Sequence, residues 1–316
     1  MDFRLLVVKP SSLGDIIHGL QVVAALKKQR PQVSVTWVVR DCFEAAVRCS
    51  GVVERTISYG RSGGLRGLWN CCQDIRRAGN FDAVWDMQGL FRSGLMAFAA
   101  RSPHRIGRRD AREGARLFYN DRILLPPPSA GTSPHAVEIL GQFLPTLGLR
   151  SSVERLQFRW FGEDCLPAKL FEKPYVLLSP ESRGPRKEWP HFDALAADLC
   201  ARYRNWNFFW VGLEGRPCPR ASLRGNFFDL HGETSLPQLL QLVHRSLGVI
   251  ANDSACTHIA AAIGRPVLAI FVASDPRHSA PYPPNAPGHF TALRPFPGQP
   301  FPELEKFLGF IGGEMA

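Results

Sequence analysis

The sequence lacks a long hydrophobic segment. None of its apolar runs approaches the roughly 18 consecutive apolar residues that a membrane-spanning helix requires. The N-terminal run from Leu5 to Val8 is too short for a signal peptide and lies between Arg4 and Lys9. We therefore expect a cytoplasmic protein without a spanning helix.

Signatures of disulfides and metal sites are also missing. The eight cysteines include no C-x-x-C pair, and several lie in apolar, helix-like surroundings. We interpret them as reduced packing residues. No cluster of metal-ligand residues is visible, and no D-x-D pair stands at a strand end. We therefore expect no divalent ion and no other cofactor.

Two nucleotide-binding fingerprints are absent from the first strand–helix crossing. Residues 9–15 contain neither G-x-G-x-x-G nor a Walker A loop, which argues against a dinucleotide dehydrogenase or an ATPase. The chain also has no internal repeat of solenoid length and no low-complexity tract.

The composition is that of a folded, basic protein. Its 316 residues are 45% hydrophobic and 21% charged, enough for two domains that each bury a core. The net charge of +10 suggests a polyanionic partner, either nucleic acid, a phosphorylated lipid, an anionic membrane surface or a phosphorylated small molecule. Nucleic acid fits least well, because neither an RNA-binding aromatic signature nor a helix-turn-helix pattern is present.

Strand-like and helix-like segments alternate along the chain. Strands are predicted at 3–8, 33–39, 52–59, 81–87, 155–160, 175–179, 206–213, 227–230, 247–251 and 267–273, with one more inside the Pro-rich segment 279–300. Helices are predicted at 15–28, 42–49, 65–77, 90–100, 134–147, 191–203, 236–245, 257–263 and 301–312. This alternation is typical of doubly wound parallel α/β sheets.

The domain organisation follows from the same pattern. We predict an N-terminal domain at 1–160, a linker at 161–173 with little periodicity, a C-terminal domain at 174–300 and a final helix at 301–316.

Residues 247–273 read as strand, tight turn, helix and strand. Asp253 or Ser254 can cap the helix, and Gly264 stands where a helix-ending left-handed residue is expected. A helix start is a favourable anion site, and His258 shares a helix face with Ser254. A phosphate between them is one interpretation; an ordinary cap and a structural histidine are the other.

Three further features lie at predicted strand ends. Asp15 follows the first strand, where it is either a helix cap or a catalytic carboxylate. Lys187 follows the strand at 175–179 and is either a phosphate ligand or a surface lysine. The segment 104–116 is dense in arginine, and is either an anion site or a solvated charged face.

Several motifs together resemble one family. They are 8–15 (VKPSSLGD), 86–90 (DMQGL), 111–113 (ARE), 117–120 (LFYN), 135–138 (HAVE), 184–190 (GPRKEWP) and 253–258 (DSACTH). From end to end the chain resembles the ADP-heptose lipopolysaccharide heptosyltransferases of Gram-negative bacteria. The block from Asp86 to Asn120 is most similar to heptosyltransferase I.

The resemblance implies a GT-B fold, with two Rossmann-like domains facing a cleft and the final helix packing back on the N-terminal domain. It implies an inverting transfer of L-glycero-D-manno-heptose from ADP-heptose to a Kdo sugar of Kdo–lipid A. The protein would be a monomer that meets its lipid at the inner face of the cytoplasmic membrane by charge.

The resemblance also implies residue roles. Asp15 matches the family's general base. The implied donor-binding residues are Ser182, Lys187, Thr234, Asp253, Ser254, Ala255 and His258. The implied acceptor-binding residues are Ser12, Gly14, Arg61, Arg66, Gln88, Arg92 and Arg112.

Two departures from the family pattern lie near the donor motif. Ala255 replaces a usual Gly, and Val272-Ala273 replaces a usual Gly-Pro ahead of Ser274. Since Gly permits closer approach of backbone to phosphate, these changes bear on donor affinity and pose. The alternatives are heptosyltransferase II, a related transferase with another acceptor, and a non-catalytic protein that binds a nucleotide sugar or an anionic lipid.

Overall fold

The computed structural model describes residues 3–126, 134–160, 166–182, 184–213, 225–295 and 301–313. The chain divides into two units, Met1–Arg159 and Trp160–Ala316. The division falls beside the predicted end of the N-terminal domain at residue 160. Residues 161–165 of the predicted linker lie outside the described residues, and Ala168–Phe171 form a 3-10 turn.

The first unit is a parallel α/β sheet. Its strands are β1 (Arg4–Val8), β2 (Ser34–Arg40), β3 (Arg55–Tyr59), β4 (Ala83–Asp86), β5 (His104–Gly107) and β6 (Asp121–Arg122). Its α-helices are α1 (Leu13–Gln29), α2 (Glu44–Cys49), α3 (Gly64–Arg77), α4 (Phe91–Ala99) and α5 (Ala136–Gly141). The strand order is β3-β2-β1-β4-β5-β6.

The second unit repeats this plan. Its strands are β7 (Tyr175–Ser179), β8 (Asn207–Trp210), β9 (Phe227–Asp229), β10 (Gly248–Asn252), β11 (Val267–Phe271) and β12 (His289–Leu293). Its α-helices are α6 (Phe192–Arg202), α7 (Leu236–Arg245), α8 (Ala255–Ile263), α9 (Pro276–Ser279) and α10 (Pro302–Gly313). The order β12-β11-β10-β7-β8-β9 is the first unit's order read from the opposite edge.

The apolar runs form these sheets because both faces of each sheet are covered. Every residue of β7 and of β11 is buried, as expected for parallel strands between two helix layers. Gly264 ends α8 with a φ of 75°, the left-handed conformation that favours Gly. The predicted α/β class, with two doubly wound sheets, is confirmed.

Strand order reverses at β1 and β4 in the first unit and at β7 and β10 in the second. At such a point the crossover helices lie on opposite faces of the sheet. The carboxyl ends of the two strands then leave a crevice between them. The loops that follow β1, β4, β7 and β10 carry most of the predicted site residues.

Two predicted elements are wrong in detail. The predicted helix at 134–147 divides into α5 and a 3-10 turn at Leu144–Leu147, because Pro145 cannot continue an α-helical hydrogen-bond ladder. The segment 155–160, predicted as a strand, is irregular. Its backbone bonds to another part of the first unit instead, since the Arg159 N–H donates to the Cys49 carbonyl oxygen at 2.7 Å.

Two strands were missed, and α1 begins two residues earlier than predicted. β5 lies in the segment 104–116, which was interpreted only as arginine-rich, because Ile106 is the one large apolar residue of β5. β6 is two residues long and carries no apolar side chain. α1 begins at Leu13 with Ser12 as its N-cap residue, so Asp15 is the third residue of the helix rather than its cap. Ser followed three residues later by an acidic residue is a helix-start pattern.

The final helix packs within the second unit. Its apolar residues Leu304, Phe307, Leu308 and Ile311 join the core formed with β7, β8, β10 and β11. The tip of the Phe307 ring lies over Gly248 on β10. The implied docking of this helix on the N-terminal domain stays a prediction.

Across the described ranges, no helix has both the length and the apolar character to cross a membrane.

Gly248→Ala tests this packing. A Cβ at position 248 would lie 2.7 Å from Cζ of Phe307 and 3.1 Å from the Pro266 carbonyl oxygen. Overpacking of this kind lowers the free energy of unfolding by about 1–3 kcal/mol. Chemical denaturation measures the change, and Phe307→Leu in the same background should recover part of it.

Gly309→Ala is the matched control. Gly309 is an exposed residue of α10 with no atom within 4 Å of a built Cβ. The substitution should raise the free energy of unfolding by about 0.5–1 kcal/mol, since Gly disfavours helix interiors. If Gly248→Ala unfolds at the same denaturant concentration as the unmodified protein, α10 does not pack on β10 in this way.

Candidate functional site

The first unit gathers charged side chains at the β1–β4 crevice. Lys9 directly follows β1, Asp86 ends β4, and Arg108 directly follows β5. Asp15 lies in the first turn of α1. All of them stand at the carboxyl edge of the sheet, where ligands bind in open α/β folds.

Asp15 is fixed on one side and open on the other. The Ser12 N–H and Oγ–H donate to Asp15 Oδ2 at 3.1 and 2.5 Å, and Lys9 Nζ lies 3.8 Å from Oδ1. The Asp15 side chain is 43% exposed, whereas that of Lys9 is 3% exposed. Partial burial favours a higher pKa for Asp15, but the charge of Lys9 and the Ser12 hydrogen bonds outweigh it, so the pKa is lowered. The carboxylate is ionised at neutral pH and accessible from solvent.

Asp86 organises the neighbouring loop from a fully buried position. Its Oδ1 accepts from the backbone N–H groups of Gln88 and Gly89 at 2.9 and 3.0 Å. Its Oδ2 accepts from the Tyr119 hydroxyl at 2.6 Å. A Cβ at Gly107 would lie 2.1 Å from the Tyr119 ring, so this hydrogen bond requires Gly there. Burial raises the pKa of Asp86 against the opposing effect of these donors.

The loop after β4 is hydrogen-bonded to the loop between β1 and α1, which directly precedes the helical turn that carries Asp15. The Ser11 N–H donates to Gln88 Oε1 at 3.3 Å, so Gln88, a predicted acceptor residue, braces the first loop. The Arg112 N–H donates to the Gly89 carbonyl oxygen at 2.9 Å.

The arginines at this edge fall into two groups. Arg108 forms a two-pronged pair with Asp110, at 2.9 and 2.6 Å, so Asp110 offsets its charge. The predicted acceptor arginines are all exposed: Arg61, Arg66, Arg92 and Arg112. Arg61 lies after β3, Arg66 and Arg92 in the first turns of α3 and α4, and Arg112 after β5. Gly14, another predicted acceptor residue, is buried in α1.

In the second unit, the loops after β7 and β10 meet at the equivalent crevice. The Ser182 hydroxyl donates to the Asp253 carbonyl oxygen at 2.7 Å, and the Ser182 N–H donates to Glu188 Oε1 at 3.1 Å. Asn252 accepts from the Trp189 N–H at 3.1 Å. These bonds fix Ser182 and the end of the segment 184–189, which carries Lys187, against the end of β10.

Asp253 is the centre of the second site. Its Oδ2 accepts from Lys187 Nζ and from the Ser274 hydroxyl, both at 2.6 Å, and His258 Nε2 lies 4.0 Å from Oδ1. The Asp253 side chain is 6% exposed and that of Lys187 is 40% exposed. Burial favours a higher pKa for Asp253, but the hydrogen bonds from Lys187 and Ser274 reverse the effect and lower it.

The start of α8 lies beside this group. Ser254 is the N-cap residue but makes no side-chain cap hydrogen bond. Its Oγ is buried and has no hydrogen-bond partner among the described residues. Ala255 is the first helical residue. The N–H groups of the first turn and an available hydroxyl make this end of the helix suitable for an anion.

A cavity of about 430 Å³ opens beside the pair of Lys187 and Asp253. It is lined by Gly184–Lys187 on one side and by Ala273 and Ser274 on the other. Thr234, the remaining predicted donor residue, follows β9 and directly precedes the N-cap residue of α7.

Sequence reasoning missed several members of these groups. Ser274, Glu188 and Asn252 hold the loops of the second site. Asn252 and Ser274 lie at or just after strand ends, and Glu188 lies within the motif 184–190, but these positions alone indicated no role. Lys9 and Asp86 were quoted within motifs without a role. Among the ranges the structure describes, no cluster of three His, Cys, Asp or Glu residues could hold a metal ion.

Comparison with known proteins gives a consistent result. A profile of glycosyltransferase family 9 (heptosyltransferase) matches residues 70–297. Lipooligosaccharide heptosyltransferase 2 of Haemophilus influenzae is 32% identical, with 88% of this chain and 86% of that protein aligned. Lipopolysaccharide heptosyltransferase 1 of Escherichia coli K12 is 25% identical, with 86% of this chain and 89% of that protein aligned.

A solved structure supports the fold. The structure of E. coli heptosyltransferase WaaC with ADP superposes with a TM-score of 0.73 at 22% identity, covering 99% of this chain and all 100% of that one. At this identity the likeness shows the fold, and the predicted GT-B class is confirmed.

Asp253→Asn tests the electrostatics of the second site. Because the pKa of Asp253 is lowered in the folded protein, its ionised form stabilises the fold above the unfolded-state pKa of about 3.9. That stabilisation is lost as the pH falls through the lower, folded-state pKa. At neutral pH the substitution should lower the free energy of unfolding by about 1 kcal/mol, since exposure of Lys187 weakens the pair.

The difference between Asp253→Asn and the unmodified protein should shrink as denaturation is measured at pH values falling below about 4. Asp198→Asn is the control, because Asp198 is an exposed partner of Arg202 on α6. A difference that stays constant down to low pH would show that charge on Asp253 contributes nothing.

Proposed function

Because the chain belongs to glycosyltransferase family 9, the heptosyltransferases, we propose that it moves L-glycero-D-manno-heptose from ADP-heptose to a Kdo residue of Kdo–lipid A. The observation that carries the proposal is Asp15, an ionised and accessible carboxylate at the first crevice. Inversion at the sugar requires one in-line attack by an acceptor hydroxyl, and a carboxylate that accepts its proton lowers the barrier.

The second unit supplies the donor site in this proposal. The diphosphate of ADP-heptose is placed at the start of α8, where it receives the N–H groups of the first turn, the Ser254 hydroxyl and the charge of Lys187. Support comes from the related WaaC, whose structure was solved with ADP. Ser182, Thr234, Ala255 and His258 complete the proposed donor residues.

Asp253 has a different role from Lys187 in the proposal. A carboxylate does not contact phosphate favourably, because like charges repel. Its 2.6 Å contact with Lys187 instead aims the ammonium group, and any remaining acceptor capacity suits hydroxyls of the sugar. The leaving ADP is stabilised by Lys187 and the helix start, so the proposed reaction requires no divalent ion.

The acceptor side uses the positive charge of the first unit. Kdo carries a carboxylate and lipid A carries phosphates, both suited to the guanidinium groups of Arg61, Arg66, Arg92 and Arg112. Ser12, the N-cap residue of α1, holds Asp15 directly, and Gly14 lies beside it in the first turn of α1. Gln88 braces Ser11 from the loop after β4. With a membrane-embedded acceptor and a soluble nucleotide-sugar donor, we place the protein in the cytoplasm, as a monomer held by charge at the inner face of the cytoplasmic membrane.

Heptosyltransferase II activity is the second candidate. Its support is the 32% identity to a heptosyltransferase 2, against 25% to a heptosyltransferase 1. The two activities share a donor and differ in acceptor, since the second adds heptose to an already heptosylated core.

A transfer assay separates the two candidates. We expect a mass gain of one heptose when ADP-heptose is incubated with Kdo–lipid A, and no further gain on an acceptor that already carries the first heptose. Mass spectrometry of the lipid product measures both. A gain only on the heptosylated acceptor would replace the first candidate by the second, and no gain on either despite ADP binding would overturn both.

Asp15→Asn tests the proposed base. The amide cannot accept the proton, so kcat should fall by about 100- to 10,000-fold, while ADP binding measured by calorimetry stays unchanged. Ser12→Ala keeps the carboxylate and removes a hydrogen bond that lowers its pKa. Its pKa then rises, so the acid limb of the pH–rate profile should move to higher pH. Retention of full kcat in Asp15→Asn would remove Asp15 from the mechanism.

A further inference from the structure

The first unit exposes large apolar side chains beside its arginines. Leu65 and Trp69 on α3 are 84% and 60% exposed, Phe91 at the start of α4 is 44% exposed, and Leu117 is 85% exposed. Burial of such side chains is favourable, so their joint exposure indicates a contact surface. We call these four residues, with Arg61, Arg66, Arg92, Arg112 and Arg116, the basic–apolar face.

The elements that carry this face are neighbours. α3 packs against α4, and α4 packs against the 3-10 turn Ala115–Phe118. The rings of Phe91 and Phe118 lie 5.4 Å apart. Leu65 and Trp69 are one helical turn apart on the side of α3 that is not used for packing, since Leu68, Cys71 and Ile75 make the buried side. The apolar side chains therefore belong to adjoining elements.

The charge around these side chains is strongly positive. All five arginines of the face are exposed. The acidic groups on the same elements are largely engaged: Asp74 pairs with Arg77, Asp110 pairs with Arg108, and Glu113 accepts from the Phe91 N–H at 3.4 Å. Within the described parts of the chain, none of these five arginines forms an ion pair with a carboxylate. Protruding apolar side chains among such arginines suit a surface that offers phosphates above an apolar layer.

We propose that the basic–apolar face docks on an anionic lipid bilayer, with Leu65, Trp69, Phe91 and Leu117 inserted at the acyl boundary and the arginines on lipid phosphates. The starts of α3 and α4 lie at the same edge of the sheet as Asp15. Docking here brings that carboxylate to the lipid surface. The docking surface rests on the proposed function, because a carboxylate needs to reach a lipid surface only if the acceptor of the reaction is a lipid.

Trp69 provides a direct readout. Trp37, Trp85, Trp189, Trp206 and Trp210 are buried and Trp160, outside the first unit, is half-buried, whereas Trp69 is exposed. Phosphatidylglycerol vesicles with brominated acyl chains should quench a large part of the protein's tryptophan fluorescence, and phosphatidylcholine vesicles with the same chains should not. Trp69→Phe should still bind the anionic vesicles but lose most of the quenching. Equal quenching in Trp69→Phe, or no binding to the anionic vesicles, overturns the proposal.

Affinity changes give an independent test. Leu65→Ser combined with Leu117→Ser should weaken binding to phosphatidylglycerol vesicles about tenfold or more, and Arg66→Gln about fivefold. Leu293→Ser is the matched control, because Leu293 is 63% exposed at the end of β12 in the second unit, and it should bind like the unmodified protein. If the Leu65→Ser, Leu117→Ser variant, Arg66→Gln and Leu293→Ser all bind the vesicles with equal affinity, the proposal is overturned, and the basic–apolar face contacts a protein partner or solvent instead.

These outcomes are separable from those of the transfer assay. The vesicles contain no sugar acceptor, so failure to bind them overturns the docking surface and leaves heptose transfer untouched. Conversely, failure to transfer heptose to a deacylated, water-soluble Kdo acceptor overturns the proposed function without changing the vesicle result. The Leu65→Ser, Leu117→Ser variant should retain full transfer to that soluble acceptor.

Discussion

The reversal of strand order within each sheet is the constraint on which both candidate sites depend. Where neighbouring parallel strands send their crossover helices to opposite faces, their carboxyl ends leave a crevice that apolar side chains do not fill. In this chain the reversals fall at β1–β4 and at β7–β10. The four strands β1, β4, β7 and β10 are almost entirely buried. The loops that follow them are therefore where polar side chains can meet a ligand without disrupting the core.

Each crevice contains a pair of opposite charges, one buried and one accessible to solvent, and the sign of the buried charge differs between the two crevices. In the first, the cation is buried and the carboxylate is accessible: Lys9 is 3% exposed and Asp15 is 43% exposed. In the second, Asp253 is buried and Lys187 reaches solvent. A buried charge is tolerated only when it is paired and hydrogen-bonded, so in each pair the buried member fixes and tunes the accessible one. The accessible group is then negative in the first unit, which suits the proton acceptor proposed for Asp15. It is positive in the second unit, which suits the phosphate ligand proposed for Lys187.

The order of strands and helices is well predicted from the sequence, because a strand that is buried on both faces of a sheet is a nearly continuous apolar run. β7 and α7 have the predicted bounds, and the turn that carries Asp253 and Ser254 lies where the apolar run ends. β5 was not predictable, since a four-residue strand with Ile106 as its one large apolar residue has neither an apolar run nor a clear alternation. The pairings of Arg108 with Asp110 and of Ser274 with Asp253 were also not predictable. They depend on where loops from different strands meet, and local spacing carries no information about that.

The structure weakens the block from Asp86 to Asn120 as an argument for heptosyltransferase I. Asp86 is fully buried and holds Tyr119 and two backbone N–H groups, and Asn120 accepts from the Arg105 N–H at 2.7 Å. These hydrogen bonds set the shape of the loops after β4 and β5. They hold protein groups to one another, and none of them presents a polar group to a sugar. A loop shape can be shared by enzymes with different acceptors, which agrees with the presence of heptosyltransferases of both types among the similar proteins. Acceptor choice is therefore better sought in the exposed arginines at these loops, Arg92 and Arg112, because their guanidinium groups have no hydrogen-bond partner among the described residues.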